Sequence, residues 1–141
     1  LSGNRNAVVA AARSLVKVVA AEEDPVFWRE LREQQLPFFQ NSSRPLWRLS
    51  VPPATPALEI RGDWLCDWGG AQRWLRSEES PARIQMVTQQ AGGHATLFRG
   101  GDRHGSVFQP LAPALHALHA RLKLAFDPAR VLNRGRMYPD L

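Results

Sequence analysis

Apolar and polar positions along the chain alternate between helical and extended periods. Between Asn6 and Leu15, the residues Val8, Ala11, Ala12 and Leu15 recur at helical spacing, with Asn4 or Asn6 placed to cap the first free N–H groups. Leu1-Ser2 reads as the stump of a strand, and Val16-Lys17-Val18-Val19 as a short strand ending in the acidic run Glu22-Glu23-Asp24. Asp24-Pro25 then opens a helix, because Asp accepts from free amides and Pro at the first position forfeits no hydrogen bond. Phe27, Trp28 and Leu31 supply its buried side, and Pro37 marks its end. Asn41-Ser42-Ser43-Arg44-Pro45 is a loop. Beyond it, Trp47, Leu49 and Val51 alternate with Arg48 and Ser50, the pattern of a half-buried strand. Pro52-Pro53-Ala54-Thr55-Pro56 then excludes regular structure and forms a stiff connector.

The clearest local signal follows. Asp63-Trp64-Leu65-Cys66-Asp67-Trp68, Gly69-Gly70 and Ala71-Gln72-Arg73-Trp74-Leu75-Arg76 read as a hairpin with a two-residue glycine turn. Trp68 then pairs with Ala71, Cys66 with Arg73, Leu65 with Trp74 and Asp63 with Arg76. One face carries Trp64, Cys66, Trp68 and Arg73, the other Leu65, Asp67, Gln72 and Trp74. Ser80-Pro81 starts a further helix through about Gln90, with Ile84, Val87 and Ala91 on one stripe and Gly92 as the residue that ends it. His94 to Phe98 is a strand closed by Gly100-Gly101-Asp102. The most periodic element comes last: Leu111, Leu115, Leu118, Leu122 and Phe126, stopped by Asp127-Pro128. The order predicts an α+β fold, an antiparallel β-sheet with helices packed on one face.

Length and composition narrow the class. The 141 residues suffice for one domain with a core, and 44% hydrophobic residues exclude a disordered chain. One cysteine excludes an internal disulfide framework and a thiolate-rich metal site. No apolar run approaches a membrane span, and the start is neither a signal peptide nor an initiator Met. The chain is therefore expected to be a piece of a longer protein. Its net charge of +5 rests on scattered arginines, concentrated only at Arg130, Arg134 and Arg136, so an ordinary solvated basic face is a better reading than a nucleic-acid surface.

Several residues carry candidate chemistry. His94 follows Gly92-Gly93, where backbone can approach a ligand and an imidazole can move a proton; the same glycines also spell an ordinary helix stop. Arg73 shares a hairpin face with Trp64 and Trp68, either stacked and ready for a carboxylate or merely covering the tryptophans. His116 and His119 are three apart on a helix, but no third ligand accompanies them, so solvated histidines are expected and no metal site. Cys66 reads as a small core residue. Neither nucleotide-phosphate glycine fingerprint occurs.

Three blocks carry a resemblance. The tail Phe126-Asp127-Pro128-Ala129-Arg130-Val131-Leu132-Asn133-Arg134-Gly135-Arg136-Met137-Tyr138-Pro139 resembles the C-terminal signature of FAD-linked oxidases of the vanillyl-alcohol oxidase type. Asp67-Trp68-Gly69-Gly70-Ala71-Gln72-Arg73-Trp74 and Ala91-Gly92-Gly93-His94-Ala95-Thr96-Leu97-Phe98 narrow it. Together with Phe27-Trp28-Arg29-Glu30-Leu31-Arg32 and Leu36-Pro37-Phe38-Phe39, they resemble the FAD-binding E subunits of bacterial glycolate oxidase over essentially the whole chain. The resemblance implies that residues 1–141 form a single ferredoxin-like cap domain, with the FAD-binding domain upstream and residues 127–141 a tail toward it. It implies an FAD-dependent oxidoreductase converting glycolate, a 2-hydroxy acid, to glyoxylate, in a complex with a D-type flavin subunit and an iron–sulfur subunit. An assembly domain within that complex is the alternative. FAD would be bound mainly by the upstream domain, so the fragment alone is expected to be inactive. Arg73, His94 and Arg99 are the expected carboxylate or proton residues, and Asn133, Gly135, Arg136 and Tyr138 the flavin-proximal ones. The expected location is cytoplasmic, peripheral on the inner membrane through the complex. Two positions depart from the family pattern: Arg130 stands where Gly is usual, and Arg134 where Pro is usual. A non-Gly residue at positive φ is disfavoured by about 1 kcal/mol, so the turn is expected to be altered.

Overall fold

The computed structural model describes residues 25–40 and 43–141. The chain divides at Ser43 into two compact units. The helix expected at 6–15 and the strand at 16–19 lie outside the described residues.

In the first unit, α1 (Pro25–Arg32) begins at the expected proline. It stops earlier than Pro37 because Gln34 adopts φ +56°, the left-handed conformation that ends many helices. Gln35 N then donates to Glu30 O (2.7 Å) and Gln34 N to Leu31 O (3.2 Å), closing the paired bonds of a Schellman stop. Pro37 instead opens a short 3₁₀ turn, Pro37–Phe39. No residue of α1 is buried: Phe27 and Leu31 are half-buried and Trp28 is exposed, edge-on to Phe27 at 5.2 Å.

The second unit is built on a four-stranded antiparallel sheet of β1 (Leu46–Ser50), β2 (Asp63–Asp67), β3 (Gln72–Arg76) and β4 (His94–Arg99), in the order β2-β3-β1-β4. Register places two cross-strand rows on one face, Trp64–Leu75–Trp47–Leu97 and Cys66–Arg73–Leu49–Ala95. Helix α2 (Pro81–Gln90) covers that face, and Trp47, Leu49, Leu75, Ala95 and Leu97 pack with Ile84 of α2 and with Ile60 into one buried core. Each such Leu or Ile contributes about 1.5–3 kcal/mol by leaving water. The opposite face carries three rows: Asp63–Arg76–Leu46–Arg99, Leu65–Trp74–Arg48–Thr96 and Asp67–Gln72–Ser50–His94.

The hairpin has the expected Cys66–Arg73, Leu65–Trp74 and Asp63–Arg76 pairs, but not the Trp68–Ala71 pair or the two-residue turn. Its strands end at Asp67 and Gln72, and Trp68–Gly70 forms a 3₁₀ turn in which Trp68 and Gly69 both have positive φ. Ala71 N still donates to Trp68 O at 3.2 Å, yet Trp68 turns out into solvent and is 77% exposed. Cys66 is exposed rather than a core residue, because β2 is an edge strand and Cys66 lies at the margin of the face that α2 covers.

Helix α2 is capped as its sequence requires: Ser80 Oγ accepts from Arg83 N, and Pro81 is the first helical residue. At the other end Gly93 N donates to Thr88 O and Gly92 N to Gln89 O, both at 2.9 Å, with Gly92 at φ +78°. Its buried stripe is rotated from the expected Ile84-Val87-Ala91 to Ile84, Gln85 and Thr88. Thr88 is compatible with full burial because its hydroxyl donates to Ile84 O at 2.7 Å.

Strand β4 contains a bulge. Leu46 pairs with Arg99 and Trp47 with Leu97, which leaves Phe98 as an extra residue whose ring stands edge-on to Trp74 at 5.0 Å. The outer edge of β4 is covered by the segment 105–109: Leu97 N donates to Val107 O (2.8 Å) and Ala95 N to Gln109 Oε1 (2.9 Å). The last helix, α3 (Pro113–Phe126), starts at Pro113, so Leu111 precedes it. Its periodic leucines are not core: Leu115, Leu118 and Leu122 are 43–48% exposed and Phe126 is 84% exposed. Among the described residues no helix is long and apolar enough to cross a membrane.

Candidate functional site

The tail after α3 is organised by one side chain. Asp127 receives Lys123 Nζ at 2.8 Å, Leu132 N at 2.9 Å and Val131 N at 3.0 Å. Lys123, followed by the two amides, holds the carboxyl well below its usual range, at about 2. This clasp bends the chain back so that Arg130 (φ +52°) and Asn133 (φ +47°) both occupy left-handed backbone. Arg130 thus adopts a backbone conformation that favours glycine, without being glycine. Gly135 N reaches Leu141 O at 2.8 Å, and Asp140 meets His116 Nε2 of α3 at 2.9 Å.

Two adjoining clefts result. The first, of about 730 Å³, lies between α3 and the tail and is lined by Asn133, Arg136 and Tyr138 together with His119, Leu122 and Met137. The second, of about 800 Å³, lies between the sheet margin, the segment 105–109 and the start of α3; Arg48, His94, Thr96, Phe98, Leu115 and Tyr138 line it. Arg103, Phe108, Met137 and Tyr138 contribute to both. Tyr138 is fixed at the junction: its hydroxyl donates to Gln109 O at 3.2 Å, its ring lies 6.2 Å from that of Phe108, and burial raises its pKa.

The structure thus brings together four of the seven residues expected from sequence. Asn133, Arg136 and Tyr138 share the first cleft, and His94 joins Tyr138 in the second. Gly135 shapes the turn beneath them instead of lining a wall. Arg73 and Arg99 line neither cleft. Arg73 is buried on the core face, and its guanidinium donates to the carbonyls of Gly70 (3.1 Å), Pro56 (2.8 Å) and Thr55, tying the proline connector to the hairpin turn. Arg99 sits at the far row of the sheet, 6.0 Å from the Phe98 ring. There it helps, after burial itself and together with Arg44, to lower the pKa of Arg76, against the opposing pull of Asp63.

Two residues escaped the sequence reading. Asp127 was legible only as a helix stop, although an Asp followed by free amides is an acceptor in waiting. Arg48 was assigned to the polar side of a strand; its signal was a lone cation between Trp47 and Leu49. Among the described residues, no three of His, Cys, Asp and Glu gather closely enough to hold a metal ion.

The glycine pairs bear on a dinucleotide. A Cβ on Gly93 would meet Ser50 O at 2.1 Å, so this glycine serves the approach of α2 to β1, not of a ligand to backbone. Both clefts combine arginines with apolar walls, Arg136, Phe108, Leu122 and Met137 in the first and Arg48, Phe98 and Leu115 in the second.

No family model matches the chain, and no solved structure matches it. Among curated proteins it is 47% identical over 115 residues to the glycolate oxidase subunit GlcE of Escherichia coli (strain K12), a match covering 82% of this chain and 32% of that protein. The chain spans about a third of the length of the curated relative it matches. Over 82% of its length, the chain is thus similar to a glycolate oxidase subunit of the GlcE type.

Proposed function

We propose that the chain is the cap domain of a flavin-dependent 2-hydroxy-acid oxidase subunit that works in a complex oxidising glycolate to glyoxylate. The observation that carries this reading is the 47% identity to a glycolate oxidase subunit. The convergence of His94, Asn133, Arg136 and Tyr138 on two adjoining clefts supports it.

Converting glycolate to glyoxylate removes a hydride from the carbinol carbon and a proton from its hydroxyl. FAD, when bound, supplies the two-electron acceptor. In this reading the cofactor is held mainly by the remainder of the longer protein, and the tail residues Asn133, Arg136 and Tyr138 form the wall facing its ring. His94, exposed at the start of β4, takes the hydroxyl proton on its imidazole. The D-type flavin subunit and the iron–sulfur subunit carry the electrons onward, and the complex is cytoplasmic, peripheral on the inner membrane.

The test is turnover by the full-length subunit assembled in its complex. His94→Ala is expected to lower kcat with glycolate by about 100-fold or more, with flavin content unchanged. Wild-type turnover by this variant would remove His94 from the reading. The isolated chain is expected neither to oxidise glycolate nor to bind FAD tightly, and tight binding would overturn the division of labour.

The exposed row Leu115, Leu118 and Leu122 favours a second reading, an assembly domain whose α3 docks within the complex. Full activity of a complex in which His94 and Asn133 are both Ala would favour it over the first.

A further inference from the structure

We propose that Arg48 binds the carboxylate of the 2-hydroxy acid, in the cleft between β1, β4 and the tail; the assignment rests on the oxidase reading above. Strand β1 is central, paired with β3 on one side and β4 on the other. An arginine in its middle is an uncommon choice, since central strands favour apolar and β-branched residues. Arg48 is nevertheless exposed, between Trp74 and Thr96 in its cross-strand row.

Among the described residues, the Arg48 side chain makes no hydrogen bond or ion pair to another side chain or to backbone. Four other arginines of this unit are engaged: Arg73 by three carbonyls, Arg83 by Glu79 and Glu59 O, Arg44 by Asp63, and Arg103 by Phe98 O. Arg48 lines the cleft with its guanidinium donors unpaired, so a carboxylate there can be met by two parallel N–H···O bonds.

The neighbours set what that carboxylate belongs to. Arg48 faces Thr96, and His94 lies two residues earlier on the same face of β4, a diagonal neighbour at about 7–8 Å. An acid lying across this diagonal places its carboxylate on Arg48 and its 2-hydroxyl toward the His94 imidazole. Phe98, Leu115 and Met137 supply apolar walls that strengthen the charged contact by excluding water. Neither Arg73 nor Arg99, the arginines first expected for this duty, lines the cleft.

The experiment uses the full-length subunit in its complex, with glycolate as substrate and oxalate, a two-carbon dicarboxylate without an oxidisable carbinol, as binding probe. Arg48→Ala is expected to raise KM for glycolate by about 100-fold. Oxalate affinity measured by calorimetry should weaken in parallel, with flavin content and thermal midpoint unchanged. Arg48→Lys should retain part of the affinity, and added guanidinium should restore part of the activity of Arg48→Ala. Values of KM and oxalate affinity within about twofold of wild type in Arg48→Ala would overturn the assignment alone. A wild-type complex that neither oxidises glycolate nor binds oxalate would overturn the oxidase reading, and this assignment with it.

Discussion

Lys123 and Asp127, one helical turn apart, close a clasp on the tail: Lys123 Nζ lies 2.8 Å from Asp127 Oδ2 and also donates to the carbonyl of Leu132. The same carboxylate accepts from the amides of Val131 and Leu132, so one residue fixes the bend that carries Asn133 toward the cleft.

This clasp depends on pH in a defined direction. The folded pKa of Asp127 is lowered from 3.8 to about 2, so its contribution is fully present above 3.8 and is lost as pH falls through about 2. Hydrogen exchange of the Val131 and Leu132 amides should stay protected at pH 5, and the protection should fade progressively below pH 4. Asp127→Ala should remove it at every pH, with exchange faster by about tenfold or more.

Arg73→Ala is expected to act on stability. It leaves three backbone carbonyls, those of Thr55, Pro56 and Gly70, without their donor beside the core, a loss of about 1–3 kcal/mol. Urea unfolding should report it as a lower midpoint with an unchanged slope. Arg73→Lys should not rescue it, because one ammonium cannot span carbonyls at three positions.

Gly93→Ala should destabilise for a different reason. The added methyl meets Ser50 O at 2.1 Å and Val51 Cγ1 at 2.7 Å, contacts that only a shift of α2 against β1 relieves. A loss of about 1–3 kcal/mol in thermal unfolding is expected.

Arg130→Gly should be nearly neutral. Release of the left-handed strain at φ +52° gains about 1 kcal/mol, and the larger freedom of the unfolded glycine offsets about 0.4–1 kcal/mol. Arg130→Val should destabilise clearly, since a branched side chain tolerates that backbone least. Thermal midpoints of the two variants decide the point.

These particulars show which features local sequence encodes. The hairpin register was legible although its turn was not. Widening the loop by one residue on each side leaves every pair of the ladder unchanged, so Cys66 faces Arg73 either way. The caps of α2 were legible because Ser80, Pro81 and Gly92 act on their immediate neighbours. Cys66 and Thr88 were misplaced for the opposite reason. The exposure of Cys66 follows from β2 being an edge strand, and the burial of Thr88 from a hydroxyl satisfied inside the helix; neither strand order nor helix rotation is a local property. Arg48 was invisible as a site residue on the same ground. Trp74, Thr96 and Tyr138, which give its position meaning, lie 26, 48 and 90 residues away.

The strand order has a consequence for how the molecule comes into being. β2 and β3 are joined by a short turn and can zip at once, but β1 must be enclosed between β3 and β4, partners far along the chain. Closing those loops is entropically disfavoured until the core contacts form, so the hairpin is expected to form first and β1 and β4 to join it later. The wall bearing Arg48 and His94 would then be among the last surfaces to appear during folding. Recognition of a small acid at that wall would report completed assembly of the whole sheet.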